Sequence, residues 1–109
     1  MNAASMIERL RAQRGGPRDG ALLRFALGDA LLKAGDAAAA RIELEAAVTA
    51  DVAYSAAWKR LGEACRALDD PAGAAGAWTR GIEAARTRGD TQALREMQVF
   101  LRRLAPAAG

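Results

Sequence analysis

The sequence predicts an all-α fold of about six helices arranged as stacked antiparallel hairpins. Alanine, the strongest helix former, accounts for 29 of the 109 residues, and only ten residues are β-branched. An internal repeat has a period of 34 residues, because Leu27-Gly28 recurs as Leu61-Gly62 and Asp36 recurs as Asp70. A period of roughly 20 to 50 residues is typical of stacked supersecondary units rather than of one irregular globule.

Apolar spacing, capping residues and breakers divide the chain into the predicted helices. Their approximate ranges are 3–13, 20–34, 37–50, 52–68, 71–87 and 91–104. In the first helix Met6, Ile7 and Leu10 have helical spacing, and the sequence Gly-Gly-Pro at 15–17 ends it. The second helix is followed by Gly35, at a position that suits a left-handed helix terminus.

Aspartates precede the third and fourth helices. We expect Asp36 to cap the third and Asp51 to cap the fourth, because an aspartate side chain accepts hydrogen bonds from the free amides of a first turn. The fourth helix is expected to bury Trp58, Leu61 and Cys65 on one face.

The fifth and sixth helices have equally clear boundaries. Asp70 is a predicted N-cap, and Pro71 follows in the first helical turn, where proline is well tolerated. Gly89 ends the fifth helix, Asp90 caps the sixth, and Pro106 lies just beyond the sixth. Since each connection is only two to six residues long, successive helices are expected to run antiparallel.

The length indicates one domain, 1–109, and the charge does not indicate a strongly charged binding partner. The formal net charge is +3, with the arginines concentrated in residues 1–20 and 86–104. These ends could contact nucleic acid, but basic residues alternate with apolar ones as on a solvated helix face, so nucleic-acid binding is the less favoured alternative. The N-terminus has no apolar stretch of signal-peptide length and no segment could span a bilayer, so we expect a cytoplasmic protein without a membrane partner.

No constellation of residues indicates catalysis or a cofactor. The chain has no histidine, and Cys65 is its only cysteine, so neither a cysteine-histidine nucleophile nor a zinc ligand set is present. Glu43 and Glu45 are two residues apart on a helix and therefore diverge. We expect no enzymatic activity and no cofactor.

Residues 21–88 resemble the tetratricopeptide repeat (TPR) family, in which helix A and helix B of each repeat form a hairpin. With Ala21 as position one, the residues that carry the resemblance are Leu27, Gly28, Leu31, Gly35, Asp36, Ala40, Leu44 and Ala47, then Trp58, Leu61, Gly62, Cys65, Ala74, Trp78 and Gly81. The resemblance implies a short right-handed solenoid in which the small residues Gly28, Ala40, Gly62 and Ala74 lie where helices A and B cross. Arg24 stands where the family has its tryptophan at position four.

The same register divides the chain. Residues 21–54 and 55–88 are the two repeats, and 90–104 is a C-terminal capping helix. The helix within 1–14 is expected to be a degenerate N-terminal half-repeat, because Met6 falls at position twenty when the frame is extended backward.

The resemblance implies a peptide-binding groove on the concave side, formed by helix A residues. Carried onto this sequence, its positions are Leu22, Phe25, Asp29, Leu32 and Lys33 from the first repeat and Ala56, Lys59, Glu63, Arg66 and Ala67 from the second. The apolar patch around Phe25 and Leu32 suits one apolar anchor of a bound peptide, although both side chains could instead pack against the first or sixth helix.

The family's clamp for a C-terminal carboxylate is not expected here. That clamp uses asparagines and lysines on the groove wall. Position nine is Asp29 in one repeat and Glu63 in the other, and the only asparagine of the chain is Asn2.

A competing hypothesis assigns the function to self-association. Val99, Phe100 and Leu101 are three large apolar residues in a row, more than one helix face can bury. A homodimer through Val99 and Phe100 is one interpretation, and burial of Phe100 beneath the fourth or fifth helix is the other. The favoured function is a non-catalytic module that binds a protein or peptide partner of unknown identity.

Overall fold

The computed structural model describes residues 2–104, and those residues form six helices and no strand. The helices are α1 (Ala3–Ala12), α2 (Ala21–Lys33), α3 (Ala37–Ala50), α4 (Ser55–Ala67), α5 (Pro71–Arg88) and α6 (Thr91–Leu104). The predicted all-α fold is confirmed, and the predicted helix bounds differ by one residue or none except in α4. Pro106 lies outside the described residues.

Three of the predicted aspartate caps are confirmed. The side chains of Asp36, Asp70 and Asp90 each accept a hydrogen bond from the backbone amide three residues further on, at 3.1, 2.9 and 3.2 Å. Pro71 is the first residue of α5, where its missing amide hydrogen is not needed. These local signals explain why α3, α5 and α6 begin where the sequence predicted.

The turn inside each hairpin uses a left-handed backbone. Gly35 has a φ of 89°, and Asp69, at the same position of the second repeat, has a φ of 59°. Asp69 is the only residue other than glycine with a positive φ in the described part of the chain. The second hairpin therefore contains mild strain that the first avoids, because aspartate adopts this conformation less readily than glycine.

The predicted cap of α4 is wrong. Asp51 ends α3, and its side chain accepts a hydrogen bond at 3.1 Å from the amide of Ala53, two residues on. Because the Asp51 side chain is used in this turn, it does not cap α4. Helix α4 begins only at Ser55, and the side chain of the preceding Tyr54 makes no capping hydrogen bond.

The helices form a curved stack. Helix α4 touches both α2 and α6, whereas the backbones of α3 and α5 stay apart and are linked only through side chains near their ends, Arg41 with Asp70 and Arg88 with Asp51. The stack therefore curves with α2, α4 and α6 on the inner side and with α3 and α5 on the outer side. Helix α6 packs on α5 and touches α4, much as α4 packs on α3 and touches α2, so it occupies the place of another helix A.

Close crossings at glycine hold each hairpin together. A Cβ atom at Gly28 would lie 2.5 Å from Cγ of Leu44, and one at Gly62 would lie 2.1 Å from Nε1 of Trp78. Leu44 and Trp78 are both fully buried. The indole N–H of Trp78 donates to the backbone oxygen of Lys59 at 3.0 Å. The expected equivalent crossings are present in both repeats.

Helix α1 is the least embedded helix. It contacts only α2, and Ile7 is its one buried residue. Met6 is 42% exposed, whereas the residues at the same repeat position, Ala40 and Ala74, are fully buried against their own helix A. This exposure of Met6 is what a half-repeat that lacks a helix A would show. The division into repeats stays a prediction. Among residues 2–104, no helix is both long and apolar enough to cross a bilayer.

Candidate interaction site

The inner faces of α2, α4 and α6 form a continuous surface, here called the concave wall. The predicted groove residues of α2 recur every three or four residues from Leu22 to Leu32, and Lys33 lies four residues after Asp29, so all of them share one helix face. That face turns toward α4, because Asp29 reaches Arg60 of α4. Leu22, 73% exposed, is the most accessible apolar residue of the wall.

Ion pairs link the predicted residues of α2 to those of α4. Oδ2 of Asp29 lies 2.9 Å from Nζ of Lys33, and its Oδ1 lies 2.8 Å from Nε of Arg60. Arg60 also reaches Glu63 at 2.6 Å. The Oδ1 atom of Asp29 is buried and accepts no well-aligned hydrogen bond. The nearby guanidinium of Arg60 compensates its negative charge.

A second ion pair joins α4 to α6. Nζ of Lys59 lies 3.2 Å from Oε1 of Glu96, and the lysine side chain is largely buried. Lys59 was among the predicted groove residues, whereas Arg60 and Glu96 were not. The spacing of three between Arg60 and Glu63 could have predicted their pair within one helix, but the pairs between helices depend on how the helices stack. The structure thus brings Asp29, Lys33 and Glu63 together, while Arg66 stays exposed.

The expected apolar patch is only partly available. The ring of Phe25 lies 5.0 Å from that of Tyr54, at the start of α4, and both side chains are partly buried against the core. Leu32 is also partly buried against the core. Phe25 and Leu32 therefore contribute to folding, and the apolar contact that the wall offers most freely is Leu22.

The apolar run from Val99 to Leu101 is partly buried within the chain. The ring of Phe100 lies 5.1 Å from that of Trp78 in α5, and Phe100 belongs to the partly buried residues around the core. Val99 is partly buried as well. This arrangement favours burial of Phe100 over its use as an interface, and self-association through Val99 and Phe100 stays a prediction.

A buried carboxylate replaces aromatic packing in the first repeat. Glu43 is 3% exposed and pairs with Arg24 at 3.2 Å and with Arg14 at 2.6 Å. In the second repeat the residues at the positions of Arg24 and Glu43 are Trp58 and Ala77. An ion pair in one hairpin thus takes the place of a large aromatic residue and a small one in the other, which explains the departure of Arg24 from the family pattern.

The same ion-pair network extends to the loop before α2. Asp19 accepts hydrogen bonds from Nε and Nη2 of Arg24 at 2.8 and 3.0 Å and from the amide of Gly15 at 2.7 Å. The hydrogen bonds from Arg24 and then from Gly15 hold the pKa of Asp19 well below its usual range, and Asp19 in turn raises the pKa of Arg24. The Asp19 carboxylate therefore connects the loop to α2.

Acid is expected to remove this connection. A carboxyl whose pKa is lower in the folded state stabilises the fold above its unfolded pKa and loses that contribution as the pH falls. Asp19→Asn should lower the free energy of unfolding at neutral pH and have progressively less effect below about pH 4, as measured by urea denaturation. An effect of equal size at about pH 2 and pH 7 would show that the Asp19 charge is not responsible.

Cys65 lies inside the hairpin stack. It is 4% exposed, and burial raises the pKa of its thiol. A protonated, covered thiol is a poor nucleophile, as expected for a small core residue.

The chain is similar to known proteins in both sequence and structure. No protein-family model matches the chain. A curated TPR repeat-containing protein of Pseudomonas aeruginosa is 50% identical to it over 99 residues, which span 91% of this chain and 94% of the relative. The solution structure of a protein from Bordetella parapertussis has a TM-score of 0.78 and 46% identity, covering 92% of this chain and 87% of that one.

Proposed function

The chain belongs to the tetratricopeptide repeat family, and we propose from this premise that it is a non-catalytic module whose concave wall binds a peptide or partner protein. The observation that carries the proposal is the linkage of three inner helices by ion pairs, Asp29 with Arg60 and Lys59 with Glu96. These ion pairs orient the four side chains on the concave wall before any partner binds.

A prepared wall favours binding because less side-chain freedom is lost on association. Each long side chain that must be immobilised costs about 0.5–1.5 kcal/mol, and several of those on this wall are already paired. The wall therefore suits a partner that is recognised by shape and by a few strong contacts rather than by many new ion pairs.

The residues left for such contacts are few. Leu22 is exposed and apolar, and Arg66 is exposed and makes no ion pair within residues 2–104. Asp29, Lys59 and Glu63 are occupied by partners inside the chain. We therefore expect the partner to present an apolar side chain to Leu22 and an acidic group near Arg66.

Replacing Leu22 by aspartate is expected to abolish capture of the partner without unfolding the chain. The chain offers a matched control, because Val52 is 74% exposed and lies in the turn between α3 and α4. Tagged wild type, Leu22→Asp and Val52→Asp would be used to capture proteins from the source cell. Circular dichroism would confirm that all three keep the same helix content. Partners lost only with Leu22→Asp support the concave wall.

Two outcomes would contradict this proposal. If the same proteins are captured by wild type and Leu22→Asp, the concave wall is not the binding surface. If they are lost only with Val52→Asp, recognition occurs at the outer side. Phe25→Asp is a less suitable variant, because Phe25 packs against Tyr54 and its loss would weaken the fold itself. The cytoplasmic location of this activity stays a prediction.

A further inference from the structure

The outer side of the stack contains an open groove between α3 and α5, here called the convex trough. Its walls are the two helices, and its floor is α4, through Trp58, Leu61 and Cys65. The trough exists because the backbones of α3 and α5 stay more than 8 Å apart. At one end the trough continues between α5 and the turn that follows α3, where a section bounded by Val52, Arg80 and their neighbours has a volume of about 490 Å³. This volume is in the range of ligand sites, roughly 300–1,000 Å³.

Small residues keep the trough open on the side of α5. Gly73, Gly76 and Ala77 line it next to Trp58 and Cys65. A Cβ atom at Gly76 would meet no other atom within 4 Å, so this glycine is not required by packing inside the chain. A glycine in a helix interior lowers helix stability by roughly 0.5–1 kcal/mol relative to alanine. Packing within the described residues does not compensate for this loss.

The charges along the trough are paired, with one exception. Arg41 lies 3.1 Å from Glu45 and 3.6 Å from Asp70, and Glu83 pairs with Arg86. Arg80 makes no ion pair with any residue from 2 to 104. Arg80 is thus the one cation of the trough that has no carboxylate partner among the described residues.

Arg80 lies directly above the aromatic floor. Its guanidinium carbon is 5.6 Å from the centroid of the Trp58 ring. At this distance a cation–π contact holds the guanidinium near the indole, and its N–H donors have no carboxylate partner among the described residues. Val52, which is 74% exposed at the same section, supplies an apolar contact beside this cation.

We propose that the convex trough is a second docking surface, which binds a peptide segment carrying a carboxylate next to a large apolar side chain. The carboxylate pairs with Arg80, and the apolar side chain lies against Val52 and the α5 wall near Ala84. Arg80 selects an acidic segment, because a basic segment would leave its guanidinium without a carboxylate partner. This surface is opposite the concave wall, so the chain could bind two partners at once.

A titration with defined peptides tests the proposal. The probe is an acetylated and amidated amphipathic helical peptide of leucine, alanine and glutamate, and its control has glutamine at every glutamate. Each is added to the 15N-labelled chain while the indole N–H of Trp58 and the amides of Val52 and Arg80 are monitored. Saturable shifts there with the acidic probe, and about tenfold weaker binding of the glutamine peptide, are expected for loss of a charge-assisted bond.

Two variants assign any binding to the trough. Arg80→Gln should weaken the acidic probe about tenfold and remove its advantage over the glutamine peptide, whereas Arg9→Gln, an equal charge change on α1, should leave its Kd unchanged. Thr87→Leu should block binding by filling the section beside Val52 and Ala84 and keep an equal or higher melting temperature, because leucine is the better helix former. Blocked binding cannot then be attributed to unfolding.

Several results would overturn the proposal. They are equal affinity for the two peptides, no saturable shift at millimolar peptide, or shifts confined to the concave wall. Shifts of Trp58 and Val52 that depend on the concentration of the chain alone would assign the trough to a second copy instead. Leu22→Asp is expected to leave the Kd of the probe unchanged, so this test and that of the concave wall can fail independently.

Discussion

Gly62→Ala is expected to destabilise the chain by about 3 kcal/mol, although alanine is the better helix former. The added methyl would lie 2.1 Å from Nε1 and 2.4 Å from Cε2 of Trp78, a rigid ring that is 1% exposed. Overpacking of this kind costs roughly 1–3 kcal/mol, and displacing the indole also weakens its hydrogen bond to Lys59, worth about 1 kcal/mol. Thermal denaturation should show a melting temperature lower by about 10–20 °C.

The matched control for this prediction is another glycine in a helix interior. Gly76→Ala places its methyl in open space, so it should stabilise the chain by about 0.5–1 kcal/mol through helix propensity alone. The difference between the two variants isolates the cost of separating α4 from α5. Equal melting temperatures would mean that Gly62 and Trp78 do not approach as closely as described.

Glu43→Ala is the second change with a large expected effect, a loss of about 2 kcal/mol. The glutamate side chain is 4% exposed, and its removal leaves Arg24, which is 26% exposed, without one of its two carboxylate partners. Removing one member of a buried ion pair costs about 3–5 kcal/mol when the other stays buried, and partial access of both arginines to water reduces that figure here. Urea denaturation would measure it.

The repeat itself supplies the variant that should recover the loss. Arg24→Trp combined with Glu43→Ala installs the pair found in the second repeat, Trp58 with Ala77. A double-mutant cycle is expected to show a favourable coupling of about 1–2 kcal/mol between the two changes. Purely additive losses would show that the ion pair and the aromatic pair do not fill equivalent space in the two hairpins.

Most of the fold could be predicted because its determinants are local. A capping aspartate, a glycine after the last turn and a proline in the first turn each act within a few residues, as at Asp36, Gly35 and Pro71. The start of α4 was missed for the same kind of reason. Asp51 has two local options, a cap or a short turn, and sequence alone does not decide between them.

The candidate site was less predictable because its contacts join distant parts of the chain. Asp29 was among the predicted groove residues, whereas Arg60 and Glu96 become relevant only once α2, α4 and α6 are side by side. Arg24 was read as a departure from the family pattern. Its partner Glu43 is 19 residues away, and only the folded hairpin shows that the two compensate each other.

Local stability differs along the molecule, because α1 is only weakly attached. This helix buries only Ile7 and touches only α2, whereas α4 is enclosed by neighbours on several sides. Amide protons of α1 can therefore reach solvent through a local opening that costs much less free energy than global unfolding. Helix α1 is therefore expected to open locally while the central hairpins remain folded.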